Sequence, residues 1–183
     1  MKYFILSDLH GSLFYLKAAL KIYQKNDFDG IILLGDLLYH GPRNPLTKDY
    51  NPALVAELLN DYQKNIKAAI RGNCDSEVDQ MVINFPIMSD YQVLKLNNRN
   101  LFISHGHIYH QDNLPPAISS EDLFLSGHTH LPLAEKKNGI YFGNPGSISL
   151  AKESMPSSYG VLDSKGFRVF DLSQKLIKEI LFD

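Results

Sequence analysis

The sequence predicts an α/β protein made of two stacked sheets with helices outside them. Two observations carry that expectation. Across the first half, short apolar runs alternate with segments of helical periodicity, the pattern of a parallel sheet with right-handed crossovers. Across the second half, short apolar runs follow one another, punctuated by Gly, Pro and Asn, which reads as a second and largely antiparallel sheet.

Each element has its own reason. Residues 2–7 form a short apolar run with aromatic and β-branched content, a buried strand. Ser12 suits a helix N-cap, and Leu13, Leu16, Leu20 and Tyr23 then recur at helical spacing to about Lys25. Residues 30–34 are a second apolar strand. A loop rich in Gly, Pro and Asn covers 39–51, and Pro52 fits the first helical position behind Asn51. Leu54, Val55, Leu58, Leu59 and Tyr62 mark that second helix, and 66–70 a third strand. A short helix is expected over 76–85 with Val78, Met81, Val82 and Phe85 turned inward. Tyr91–Leu96 and 100–104 read as a hairpin about Asn97-Asn98-Arg99. Further strands are expected at 123–126, 139–142, 159–163, 167–172 and Leu176–Leu181. No repeat, linker or low-complexity stretch divides the chain, so residues 1–183 are read as one domain.

Composition narrows the function. Hydrophobic residues make up 44% and charged residues 21%, a globular mixture rather than a disordered one. The net charge of −2 leaves no basic field for a long polyanion, so nucleic acid is not the expected partner. Cys74 stands alone, which removes an internal disulfide and fits a reducing compartment. The opening apolar run is short for a secretory signal and no stretch approaches a membrane span, so the cytoplasm is the expected location.

Each apolar strand ends in residues of metal-ligand type. The endings are Asp8-Leu9-His10, Gly35-Asp36, Gly72-Asn73, His105-Gly106-His107 and Gly127-His128-Thr129-His130. In open α/β sheets, sites form beyond the carboxyl ends of strands, so these distant segments can meet. Asp8 and Asp36 taken alone would be turn or cap residues. Their company changes that: His10, His105, His128 and His130, four of seven histidines, all follow strands. Oxygen and imidazole donors without an expected thiolate suit Mn, Fe or Zn better than soft copper.

Asp-x-His, Gly-Asp, Gly-Asn-x-Asp, His-Gly-His and Gly-His-Thr-His, in this order, resemble the calcineurin-like metallophosphoesterase superfamily. More narrowly, Asp8-Leu9-His10-Gly11-Ser12, the segment 38–44 and the segment 72–81 resemble the small bacterial YfcE-type phosphodiesterases. The likeness runs from Lys2 past Gly146. It implies a four-layer α-β-β-α sandwich and two divalent ions, Mn first, with Zn, Fe, Ni or Mg as alternatives. By position it puts Asp8, His10 and His130 on one ion, Asn73, His105 and His128 on the other, and Asp36 between them. It implies hydrolysis of phosphodiester bonds by a metal-activated hydroxide. Two dications, two aspartates, a hydroxide and a singly charged diester sum to neutrality. A small phosphate ester is the expected substrate, and self-association as a dimer or tetramer is left open.

The chain departs from the superfamily at Cys74, where a histidine usually assists the leaving group and the following aspartate, here Asp75, orients it. Asn73, Cys74 and Asp75 are therefore the candidate catalytic residues, with some loss of help for poor leaving groups expected. Cys74 could equally be a small buried apolar residue. His40 and Arg43, in the loop after Asp36, are candidate substrate contacts or simply solvated. His107 is read as lying beside the ligands or on the surface, and His110 as surface loop. Retromer-type subunits of the superfamily set a rival reading, a protein-binding scaffold without significant catalysis. The filled ligand positions favour the enzyme.

Overall fold

A computed structural model describes residues 1–96 and 98–183. The elements run β1 Tyr3–Leu6, α1 Leu13–Gln24, β2 Gly30–Leu33, α2 Pro52–Asp61, β3 Ile66–Ala69, α3 Glu77–Val82, β4 Tyr91–Leu96, β5 Arg99–Ser104, β6 Leu123–Leu125, β7 Pro132–Lys137, β8 Ile140–Pro145, β9 Ser158–Asp163, β10 Gly166–Asp171 and β11 Leu176–Leu181. The expected turn residue Asn97 lies outside the described residues, and Arg99 already belongs to β5.

The first sheet has the order β11-β10-β9-β1-β2-β3 and the second β4-β5-β6-β8-β7. β1, β2 and β3 are parallel, as expected. β9 pairs antiparallel with β1. The C-terminal strands therefore extend the first sheet instead of joining the second. The reason is packing: Tyr159 and Val161 bury against the helix-covered face, with the Tyr159 ring 4.8 Å from that of Phe4. The second sheet is also more parallel than expected, because β5, β6 and β8 run the same way. β7 was not anticipated. It is an edge strand beginning in Pro132 and ending in Glu135-Lys136-Lys137, so its polar half masks the apolar alternation.

Strand periodicity sorts the core into layers. Phe4, Leu6, Ile31 and Leu33 face the helices, while Ile5, Ile32 and Leu34 face the second sheet. There they meet Leu101, Ile103, Leu123, Leu125 and Tyr141. β1 and β2 are buried on both faces, which explains their unbroken apolar runs. α1 is capped by Ser12 and α2 by Asn51, whose side chains accept the Tyr15 and Leu54 amides. α1 lays Leu13, Leu16 and Leu20 on the sheet, and α2 adds Val55 and Leu59.

α3 reverses its expected orientation. Val78 and Met81 are 68% and 82% exposed, and burial passes to Ile83, Phe85 and Ile87 beyond the helix. Ser76 fastens its start, donating through its backbone and hydroxyl to Asp79, and the helix ends after six residues. The outer face of the second sheet, formed by Phe102, Phe124, Ile140 and Phe142, is covered by Tyr109, Leu114 and Ile118. These come from a looped segment that carries Pro115 and Pro116 and no helix among the described residues. The stacked mixed sheets are thus as expected, with coil as their fourth layer.

Candidate metal centre

The five strands β1, β2, β3, β5 and β6 deliver their following residues to one rim. The chain turns abruptly there. Asp8, His10, Asp36, His128 and His130 have φ values of 57°, 47°, 55°, 64° and 63°. A non-glycine residue in this left-handed region costs about 1–3 kcal/mol, and such strain collects at functional sites. Gly127 permits the crowding, because a Cβ at that position would collide with Ser7 and Asp8.

Asp8 is fully buried. Its Oδ2 accepts from the Ser7 hydroxyl at 2.6 Å and the His128 amide at 3.1 Å. Its Oδ1 has no hydrogen-bond partner among the described residues. Around that oxygen stand His130 Nε2 at 3.2 Å, His10 Nε2 at 3.7 Å and His105 Nε2 at 3.9 Å. Asp36 lies between two of these rings, its Oδ2 3.6 Å from His10 Nε2 and 3.4 Å from His105 Nε2.

Backbone carbonyls aim the imidazoles. Nδ1 of His10 donates to Tyr39 at 2.8 Å, that of His105 to Leu34 at 2.6 Å, and that of His130 to Leu150 at 2.6 Å. A carbonyl only accepts, so Nδ1 carries a proton and Nε2 is left for the centre. Asn73 Oδ1 lies 3.2 Å from His105 Nε2, and the His128 ring is centred 5.1 Å from that of His105. The structure thus gathers Asp8, His10, Asp36, Asn73, His105, His128 and His130.

Electrostatics follow from this crowding. Burial opposes ionisation of Asp8, but the imidazoles of His10 and His130 and the charge of His105 hold its carboxyl well below the usual range. Asp36 is lowered too, His105 outweighing burial. Burial works against a charged His105, yet Asp36 and Asp8 raise it to about 9. His10 is raised against burial by the same two carboxylates. Oxygen and nitrogen donors converging on an unpartnered buried carboxylate oxygen fit a divalent cation, which would replace these protons.

Asp75 has a different position from the ligands. Its two oxygens accept the amides of Asp36, Leu37 and Gly72 at 2.7, 2.8 and 2.7 Å. It ties the end of β2 to the end of β3 and so shapes the Asp36 turn. The Cys74 amide donates to Asp36 Oδ1 at 2.8 Å, and the thiol accepts from Asn73 Nδ2 at 3.2 Å. Burial, then Asp36, pushes that thiol up to about 12.

Two cavities flank the cluster. One, of about 310 Å³, is lined by Asp36, Arg43, Asn73, Cys74, His128 and Lys152. The other, of about 760 Å³, is lined on the second-sheet side by His107, His110, His128, Leu131, Leu133 and Met155. Arg43 therefore lines the smaller cavity. His40 packs edge-on against Tyr39 and Tyr50. His107 is half-buried beside His105 and His128, and burial followed by the charge of His105 lowers it to about 4. Lys152 was not anticipated: it is a single lysine in a loop, without a pattern that marks it.

Comparison with known proteins identifies the family. Residues 1–166 match the calcineurin-like phosphoesterase superfamily domain. The chain is 44% identical over 177 residues to phosphodiesterase YfcE of Escherichia coli K12, covering 97% of this chain and 95% of the relative. It is 27% identical over 173 residues to a phosphodiesterase of Methanocaldococcus jannaschii, covering 90% and 94%. The solved structure of the E. coli phosphoesterase YfcE superposes with a TM-score of 0.96 at 42% identity, covering 100% of both chains. A vacuolar protein sorting 29 structure from Cryptosporidium parvum, 18% identical over 98% of this chain and 97% of its own, shares the fold with a TM-score of 0.65. The chain is a YfcE-type member of the calcineurin-like phosphoesterase superfamily.

Proposed function

We propose that the protein is a metal-dependent phosphodiesterase that holds two divalent cations, manganese first, and hydrolyses small phosphodiesters in the cytoplasm. The observation that carries this reading is Asp8 Oδ1, buried, unpartnered and ringed by three imidazole Nε2 atoms. The related phosphodiesterases support the reaction class. Asp8, His10 and His130 would hold one cation, Asn73, His105 and His128 the other, and Asp36 would reach both. When bound, such ions supply Lewis acidity that activates water near neutral pH and offsets negative charge growing on phosphorus. Oxygen and nitrogen donors favour manganese, iron or zinc over copper.

The chain's own residues do the rest. The Tyr39, Leu34 and Leu150 carbonyls keep three Nε2 atoms directed inward. Asp75 holds the Asp36 backbone in its left-handed turn. Asn73 offers an amide oxygen to the centre and its amide nitrogen to the Cys74 side. Arg43 and Lys152 supply positive charge beside the substrate phosphate.

Elemental analysis together with hydrolysis of bis(p-nitrophenyl) phosphate in added manganese tests the reading. About two metal equivalents and metal-dependent turnover are expected. Asp36→Ala should lower turnover by roughly 10³ and reduce bound metal. Wild-type protein that retains no metal and cleaves no ester would overturn the enzymatic reading and favour the scaffold.

A further inference from the structure

The two cavities share one wall, the His128 side chain. A phosphate at the ligand cluster therefore stands at the seam between them. The cavities differ in size and in chemistry. The smaller, of about 310 Å³, brings Arg43 and Lys152 beside Asn73 and Cys74. The larger, of about 760 Å³, combines apolar Leu131, Leu133 and Met155 with His107 and His110, and its charged lining is mixed in sign, Asp112 and Glu153 beside Lys178. That volume falls within the ordinary range of small-molecule sites.

A single turn separates them. The Met155 amide donates to the Lys152 carbonyl at 2.9 Å, with Glu153 and Ser154 at φ 52° and 60° between them. Consecutive left-handed residues at the two central positions make a tight reversal. The turn sends Lys152 to the small cavity and Glu153 and Met155 to the large one.

We infer that this partition assigns the two ester arms of a phosphodiester: the leaving group departs along the Arg43–Lys152 wall, and the retained group, ring-bearing and of nucleoside size, lies in the Met155 cleft. The assignment rests on the phosphodiesterase reading above. In hydrolysis a P–O bond to water oxygen forms while the P–O bond to the leaving group breaks, and the departing oxygen gathers negative charge before solvent protonates it. Cationic side chains are worth most where that charge develops. The small cavity has two of them and opens beside the Cys74 thiol, at the position where the superfamily resemblance implies a histidine. The retained arm carries no developing charge, and it needs shape, apolar contact and a few hydrogen bonds instead.

Two variants test the arms separately. Met155→Trp should raise KM at least tenfold for the p-nitrophenyl ester of adenosine 5′-phosphate and leave methyl p-nitrophenyl phosphate within twofold. Met155→Phe should fall between. Calorimetry gives a readout apart from turnover: adenosine 5′-phosphate should bind the manganese-loaded Met155→Trp protein at least tenfold more weakly than wild type, with methyl phosphate unchanged. Arg43→Gln combined with Lys152→Gln should slow phenyl esters at least tenfold more than p-nitrophenyl esters, steepening the dependence on leaving-group pKa. Equal effects of Met155→Trp on the adenosine and methyl compounds, or none on either, would overturn the cleft assignment. An equal loss for phenyl and p-nitrophenyl esters would overturn the cationic exit. Metal-loaded wild type that binds adenosine 5′-phosphate with the expected sensitivity to Met155→Trp but cleaves neither ester would sink the phosphodiesterase reading and leave the cleft intact.

Discussion

The two sides of the ligand cluster are held with unequal firmness. His10 and His130 are buried, each with Nδ1 fixed to a backbone carbonyl, and their Nε2 atoms lie 3.4 Å apart beside Asp8. Asn73 is exposed, and His128 is half-exposed. On that second side only His105 is both buried and anchored. The first side is organised before a ligand arrives, whereas the second must still order side chains. Ordering one rotamer-rich side chain costs about 0.5–1.5 kcal/mol, and about 1.4 kcal/mol is tenfold in affinity. With two side chains still to order, the two proposed cation positions should differ in affinity by about fivefold or more.

That difference can be broken from either side. His10→Ala should remove the tighter class of manganese binding and lower diester turnover by roughly 10³. Asn73→Ala should spare the tight class, weaken the other, and lower turnover by roughly 10². Equilibrium dialysis of both variants against manganese separates the cases, and two equal sites in wild type would contradict the asymmetry. Because His10 is raised and His105 sits at about 9, loading should also expel protons. Apparent affinity should then climb as pH rises from about 6 to about 9, since deprotonation frees the Nε2 lone pairs.

Both sides were equally legible. Asp8-Leu9-His10 and Gly127-His128-Thr129-His130 each follow an apolar run, so strand logic alone brings them to the rim. What the sequence left unstated is how they are held. The Tyr39, Leu34 and Leu150 carbonyls are main-chain atoms, which no side-chain pattern reports. The three amides that occupy Asp75 are likewise invisible in sequence. The sheet assignment of β9 to β11 failed for a related reason. Tyr159, Val161 and Leu162 are buried on opposite faces, and a strand apolar on both faces does not declare which sheet it joins. α3 misled in the opposite direction: Val78, Met81 and Val82 have helical spacing but lie largely exposed to solvent.

Cys74 sharpens the comparison from the flexible side. Its thiol is pushed up to about 12, burial first and Asp36 second, so at neutral pH it carries no charge and gives up no proton readily. Cys74→His would place an ionisable donor beside Asn73. Turnover on phenyl esters is expected to rise by up to roughly 10², with p-nitrophenyl esters gaining little, because only the poorer leaving group needs a proton. A substrate profile identical to wild type would show that this position takes no part in leaving-group departure.

A last contrast sets the site rim against the opposite one. Asp122, just before β6, does for the far rim what Asp75 does for the site. Its Oδ1 accepts the Asn100 amide at 2.9 Å, and its Oδ2 accepts the Ser119 amide and hydroxyl, each at 3.0 Å. Burial would raise its pKa, but the amides of Asn100 and Ser119 outweigh burial and lower it. A lowered carboxyl contributes stability that is present above its unfolded pKa of about 4 and is lost as pH falls through the folded value. Asp122→Asn keeps one oxygen acceptor and forfeits the charge and the other. It should cost about 1–2 kcal/mol in urea unfolding at pH 7, with the gap to wild type closing below about pH 4. Diester turnover should not change, because this rim orients no ligand. A loss of activity in proportion to the loss of stability would mean that the two rims are mechanically coupled through β5 and β6, and that the strain at Asp8, Asp36 and His128 is sustained from the far end of the sheets.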